Sequence, residues 1–530
     1  MDLERIAKLE RQKDRARGMG GPEALARRKQ RGLLNVRERL TLLFDADSFF
    51  ELGLHADHAG VARDLKDREV PADGVVTGWG RIDGRDVLVI AYDFTVLAGT
   101  MGRTGEAKCA RVRDLAVKHK RPVVWLVDSG GARVQEMGGS FFATTGYLFR
   151  EQVTLSGVVP QVSVVCGPGA AGTAYIPALS DCVIIVRGKG TLALGGPPLV
   201  KAVLNETVTE QDLGGADVHL SRSGVAHIGA DSDEAAIALC RKYLSFFPAN
   251  CEEPPPVRKP AVTNAGAPNL SVTNTRARAD DALLSIVPDD PATPFDMQRV
   301  IDLLVDEGDS LGYMSRFGGS VITCFARIRG YPVGIVASQS EHLGGVLEND
   351  AAVKAARFVS LCDAFGLPLV FLQDVPGFLV GSRVERTGII RHGAKLLFAV
   401  SRATVPKLTF IVRKAYGAGY FVLCGRAFEP DYIAAWPTAE IALMGAEGAV
   451  NIMYGNQLRA LPPDEAKAKR AELEAAYRAE VTPERAAALF GVDDIIDPRD
   501  TPTIIQRVLD LTFANKEVLR PARKHGIFPV

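Results

Sequence analysis

Two short stretches of small residues carry the chemistry open to this chain: Gly167-Pro168-Gly169-Ala170-Ala171-Gly172 and Lys414-Ala415-Tyr416-Gly417-Ala418-Gly419. Each follows an apolar run with strand character and precedes a segment that reads as a helix. Small residues let a ligand approach the main chain. The first N–H groups of a helix have no intrahelical partner and carry partial positive charge. Such a turn suits an oxygen that becomes negative during reaction. One turn in each half of the chain implies two oxyanion sites. That arrangement fits a reaction with two carbonyl-type partners, an enolate forming on one and a carboxyl group leaving or arriving on the other. The same small residues also serve tight helix–sheet packing, and the pattern alone leaves both readings open.

Side chains offer little beside this backbone chemistry. No nucleophile elbow, phosphate-binding loop, HExxH or strand-following GxGxxG occurs. His219, His227 and His392 lie near Gly-rich segments, but no carboxylate or serine is spaced to pair with them, and they read as structural. The eight cysteines form no CxxC pair, so no metal site is expected. Cys166, Cys324 and Cys362 sit in apolar runs and read as buried thiols. This usage fits a reducing compartment, and with neither a signal-peptide core nor a transmembrane-length apolar run the expected location is the cytoplasm. Lys plus Arg equals Asp plus Glu at 63 each, which gives no support for nucleic-acid or membrane attraction.

The elements that must position the turns come twice. Residues 81–160 shifted by 246 positions, without a gap, match the second half: Arg81-Ile82-x-Gly84 on Arg327-Ile328-x-Gly330, Lys108 and Arg111 on Lys354 and Arg357, Pro122 and Asp128 on Pro368 and Asp374. A period of this size is a domain rather than a solenoid unit. In each copy, short apolar strands alternate with helical segments and Gly-rich turns, which predicts an α/β fold with parallel strands and right-handed crossovers. Strand 161–166, turn 167–172 and then a helix are expected, as is a helix from the Ser129-Gly130-Gly131 turn to about residue 156. Residues 1–255 and 281–530 read as the two domains, and the Pro- and Asn-rich segment 256–280 as their linker. Residues 1–31 are dense in both charge signs and read as a solvated helical face. Residues 462–482 read as an amphipathic packing helix.

Many separate motifs in one order resemble the carboxyltransferase (β) subunit of biotin-dependent acyl-CoA carboxylases. They include DSGGARVQE (128–136), SGVVPQVSVVCGPGAAGTAYIPALSD (156–181), DLGGADVH (212–219), DVPGF (374–378), GIIRHGAKLLFA (388–399), RKAYGAG (413–419) and AWPTAEIALMGAEGAVNI (435–452). The resemblance implies two tandem crotonase-like ββα superhelix domains related by duplication. It implies a hexamer, a trimer of dimers, with sites where the N-domain of one subunit faces the C-domain of another. Ala171 and Gly172 then correspond to the hole for the acyl-CoA thioester oxygen, and Gly417 and Ala418 to the hole for the ureido oxygen of carboxybiotin. Gly130, Gly131 and Ala132 correspond to positions near bound CoA, and Phe421 to a wall of the acyl pocket that is aspartate in the propionyl branch. An Ala in either turn keeps its backbone donor provided its φ is negative. No biotin-attachment segment or ATP loop occurs in the chain, so the biotin is expected on a partner biotin carboxylase/carboxyl carrier (α) subunit. The expected activity is carboxyl transfer to the α-carbon of a short-chain acyl-CoA such as propionyl- or acetyl-CoA. A methylcrotonyl-type carboxylase and a decarboxylase subunit are the near alternatives, and a non-catalytic scaffold the distant one.

Overall fold

The computed structural model describes residues 2–58, 63–65, 68–258, 281–514 and 527–529. Two compact units divide at Pro254/Pro255. Nearly all of the expected linker 256–280 lies outside the described residues, as does most of the terminal RKHGIFPV.

The first unit is built on one sheet. An antiparallel pair, β2 (Val75–Ile82) and β3 (Arg85–Tyr92), is joined at Asp83-Gly84, both at positive φ (50° and 77°). That is the two-residue turn whose twist matches paired strands. Strands β4 (Val123–Ser129), β5 (Gln161–Ala170), β6 (Cys182–Val186) and β8 (Ile228–Ala230) then add in parallel, and β1 (Phe50–Leu52) closes the other edge. Every residue of β4 and β6 is buried, as expected of strands covered on both faces. The helix Arg103–His119 buries Cys109, Val112 and Ala116 at helical spacing against the sheet, where Ile90, Trp125 and Val165 meet them in one core.

The second unit repeats this register by register. Strands β10 (Val321–Ile328), β11 (Tyr331–Ser338), β12 (Leu369–Val375) and β13 (Lys407–Tyr416) each begin 246 residues after β2 to β5 and have the same lengths. β9 (Ser310–Gly312), β14 (Tyr432–Ala435) and β16 (Asp494–Ile495) complete the same strand order. The helix Asn349–Ala364 corresponds to Arg103–His119. Each helix carries a buried lysine clasped by loop carbonyls: Lys108 donates to Ala72 and Val75, and Lys354 donates to Phe317 (2.9 Å) and Val321 (2.6 Å). Burial pushes their pKa values down, to about 8 for Lys108 and about 7 for Lys354.

Several expectations change in detail. The strand predicted to end at Cys166 runs on to Ala170, because its last three residues pair in parallel with β7 (Thr191–Ala193). In the second unit β15 (Glu440–Ala442) extends β13 to Tyr416 in the same way. Each long strand thus pairs with one neighbour along its first half and with another at its end. The predicted turns shrink to the residues Ala171-Gly172 and Gly417-Ala418. The helix expected up to 156 is broken into Val134–Met137, a 3-10 segment Gly139–Thr144 and Tyr147–Leu155. The N-terminal helix Leu3–Arg17 buries no residue, but Arg28 of the next helix is buried. Helix Pro463–Arg478 lies within the predicted packing helix and buries none of its residues within the chain.

Candidate active site

In each unit three loops leave the C-terminal ends of adjacent parallel strands, the place where open α/β sheets present ligand sites. After β3, Leu97, Ala98 and Gly99 all take positive φ (48°, 54° and 62°). After β11, Leu343, Gly344 and Gly345 do the same (51°, 64° and 81°). Gly131 and Gly377 follow β4 and β12 at φ 95° and 126°. Ala171 and Gly417 follow β5 and β13 at φ 52° and 54°. The duplication therefore extends to backbone conformations that L-residues disfavour.

Unit 1 packs these loops tightly. The Gly130 N–H donates to Ala98 O (2.9 Å), the Met101 N–H to Gly131 O (2.8 Å), and the Gly131 N–H to Ser129 Oγ (3.2 Å). A Cβ on Gly131 would stand 2.9 Å from Ala170 O, so this glycine is what lets the second loop reach the β5 turn. The structure thus joins Gly131 to Ala171, 40 positions away in sequence, while spending the N–H groups of Gly130 and Gly131 on loop structure. Gly130 is exposed and Ala132 half-buried. Unit 2 repeats the bridge: Leu347 N–H donates to Gly377 O at 2.9 Å.

Ala171, expected as a donor of the first turn, does not have a free N–H. Its φ is positive, with ψ −120°, a region that glycine ordinarily occupies. Its N–H is also already used, donating to Ala193 O of β7 at 3.0 Å. The donor without an acceptor among the described residues is the N–H of Gly172, the first residue of helix Gly172–Ala178. A Cβ on Gly172 would meet only Phe149, at 3.7 Å. Ala171 is exposed and Gly172 half-buried, so the turn is open to a ligand. In unit 2, Gly417 takes the strained position and exposed Ala418 corresponds to Gly172. A Cβ on Gly417 would stand 2.9 Å from Leu443 O. Phe421 projects from the same short helix, Gly417–Val422, and is 43% exposed.

Both turns rest on a buried aspartate at an irregularity in strand pairing, Asp128 between Val127 and Ser129, and Asp374 between Gln373 and Val375. A buried carboxylate needs a paired cation. Unit 1 supplies it from its N-terminal helices: Arg39 donates to Asp128 (2.7 Å) and to Asp233 (3.0 Å), and Arg28 also reaches Asp128. Unit 2 supplies it from β13 itself, where Arg413 makes a bidentate pair with Asp374 (3.1 and 2.9 Å) and Lys414 adds a third contact at 3.0 Å. Burial lowers the Lys414 pKa, opposed by Asp374. Nothing in the sequence around Arg28 and Arg39 marks them as partners of Asp128. The signal was the aspartate recurring at the end of two apolar strands, which demands a cation somewhere.

His219 and His227 hold structure. His219 bonds Leu192 O (2.8 Å) and Ser223 Oγ (2.8 Å), and His227 Nδ1 accepts the Val183 N–H at 3.0 Å. His392 contacts Arg391, and burial with nearby Lys395 and Arg391 lowers its pKa. Cys166, Cys324 and Cys362 are buried. Among the described residues no group of three His, Cys, Asp or Glu is placed to hold a metal ion. No helix there is long and apolar enough to cross a membrane.

Comparison with known proteins agrees with this geometry. Residues 27–528 match the family model of the carboxyl transferase domain. The chain is 40% identical over 529 residues to the propionyl-CoA carboxylase carboxyltransferase subunit of Haloferax mediterranei, covering 99% of each chain. It is 40% identical over 528 residues to the methylmalonyl-CoA decarboxylase subunit alpha of Veillonella parvula, again covering 99% of each. The crystal structure of transcarboxylase 12S, a hexamer assembly with methylmalonyl-coenzyme A and methylmalonic acid bound, superposes with a TM-score of 0.90 at 42% identity, covering 100% of this chain and 99% of that one. With both sheets, their shared strand order and nearly the whole sequence in agreement, the chain belongs to the carboxyl transferase family, as an acyl-CoA carboxyltransferase made of two crotonase-like ββα superhelix domains.

Proposed function

We propose that the protein exchanges a carboxyl group between biotin, carried on a partner biotin carboxylase/carboxyl carrier subunit, and the α-carbon of a short-chain acyl-CoA. The observation carrying this reading is the duplicated turn: a small-residue helix start in each unit, with the N–H of Gly172 unused among the described residues in one and Ala418 in the matching place in the other. Residues 1–255 take the acyl-CoA, with Gly172 as donor to the thioester oxygen and Ala171 shaping the turn. Gly130, Gly131 and Ala132 border the CoA. Residues 281–530 take the biotin, whose ureido oxygen is received at Gly417-Ala418. The fit is supported by Ala418, which is exposed and whose N–H has no acceptor among the described residues. Biotin supplies the nitrogen that holds the carboxyl group, and this chain supplies only oriented backbone donors. Phe421 lines the acyl pocket. We place propionyl- or acetyl-CoA first as substrate and a methylcrotonyl-type acyl-CoA second. A hexamer, seen in the transcarboxylase 12S structure, and a cytoplasmic location complete the reading; scattered cysteines, most of them buried, favour the latter. The relatives' names include a decarboxylase, so the same turns serve either direction.

The partner-free test runs the exchange toward free biotin from malonyl- or methylmalonyl-CoA. The bond from the α-carbon to the carboxyl group breaks and a ureido N–C bond forms. The ureido proton passes to the α-carbon. Gly172→Val has room to fold but crowds the N–H. It should lower transfer by about 10²–10³-fold, the scale of one oxyanion donor, with unchanged thermal stability. Near-native transfer in that variant would reduce the turn to a packing element.

A further inference from the structure

Tyr175 stands 246 residues before Phe421, so the duplication gives each turn an aromatic side chain at the same helical position. In unit 1 this helix buries Thr173, Ala174, Ile176 and Pro177, and Tyr175 is left on the open side at 47% exposure. Its ring meets that of Phe149 edge to face, with centroids 5.8 Å apart and planes at 83°. Phe149 comes from helix Tyr147–Leu155 and is itself exposed. Phe149 Cζ also lies 3.7 Å from where a Cβ of Gly172 would be, the nearest atom to that position. The Phe149 ring therefore stands beside Gly172, whose N–H has no acceptor among the described residues, and the Tyr175 ring stands behind Phe149. Exposed aromatic rings beside a turn that holds a ligand offer it a large apolar contact.

We propose that Tyr175 and Phe149 form a wall that selects the acyl-CoA by the group attached at its α-carbon. The inference rests on the function proposed above. A thioester oxygen received by the Gly172 N–H brings the carbonyl's substituents alongside Gly172, within contact of the Phe149 ring, and Tyr175 braces that ring. The pair acts by shape, so the Tyr175 hydroxyl is dispensable.

The test compares malonyl-, methylmalonyl- and ethylmalonyl-CoA as carboxyl donors to free biotin, in wild type, Tyr175→Phe, Tyr175→Ala and Phe149→Leu. Discrimination by one methylene in an apolar pocket reaches about 10-fold or more. Tyr175→Ala should raise the ethylmalonyl to methylmalonyl ratio of kcat/KM about tenfold. Phe149→Leu should move it in the same direction, and Tyr175→Phe should keep it within about twofold. Equal ratios in all four proteins overturn the wall. So does a change of oligomeric state in Tyr175→Ala without a change in ratio, which would make the pair a contact between copies of this chain. If wild type transfers from none of the three donors, the proposed function fails instead.

Discussion

Ala171 and Gly417 share a positive φ (52° and 54°) at matching places in two copies of the same turn, and exchanging their residue types should have opposite effects. Ala171 holds φ 52° and ψ −120°. A non-glycine residue in so sparsely populated a region costs about 1–3 kcal/mol. Glycine removes that strain but adds about 0.4–1 kcal/mol of unfolded-chain entropy to be lost on folding. Ala171→Gly should therefore stabilise unit 1 by about 0.5–2 kcal/mol. For a unit of this size that corresponds to roughly 1–8 °C in its unfolding temperature. The variant keeps both the bond to Ala193 O and the free Gly172 N–H, so transfer activity should persist. Gly417→Ala faces the reverse. It acquires the strain, and its Cβ sits 2.9 Å from Leu443 O, closer than a Cβ normally comes to an oxygen. It should destabilise unit 2 by about 1–3 kcal/mol and displace the Ala418 N–H, with loss of transfer. Differential scanning calorimetry of the intact protein, with denaturant titration as a second measure, reads both changes. If Ala171→Gly lowers stability, or if both variants shift the same way, positive φ is not what distinguishes these positions and the reasoning fails.

Other outcomes follow from the same structure. Lys354 is buried with a pKa near 7 against 10.5 for the free side chain. Below pH 7 both folded and unfolded chains hold its proton and the burial cost is fully present. From about pH 7 upward only the unfolded chain holds it, so stability should rise with pH by up to about 1.4 kcal/mol per unit. Lys354→Met should flatten that rise between pH 7 and 9, and an unchanged slope in denaturant midpoints would dismiss the lysine as its source. Phe421→Asp should change the kcat/KM ratios among acetyl-, propionyl-, butyryl- and methylcrotonyl-CoA more than the total rate; four unchanged ratios would remove Phe421 from the acyl pocket. His219→Gln and His227→Gln should lower transfer only modestly in correctly assembled protein, since both rings bond main-chain atoms. Abolished transfer with intact assembly in either variant would instead point to an essential base.

By itself, the sequence determined the duplication, the α/β class and the two small-residue turns. These are local or additive signals: a gapless 246-residue offset, apolar runs of strand length, and glycine and alanine where a strand gives way to a helix. It could not place the end of β5, since pairing with β7 depends on residues more than 20 positions further on. Nor could it tell which N–H of the first turn has no acceptor among the described residues. Ala171 and Gly172 look interchangeable as letters, and only the bond to Ala193 O and the positive φ of Ala171 separate them. The cations that neutralise Asp128 and Asp374 make the same point. Both aspartates end apolar strands and are buried, so a counter-charge was required in each unit. Its source was free to differ, because any chain segment that brings a guanidinium within hydrogen-bond reach meets the electrostatic demand. Folding brings Arg28 and Arg39 from the N-terminal helices in one unit and Arg413 from the adjacent strand in the other, and that choice exists only in three dimensions.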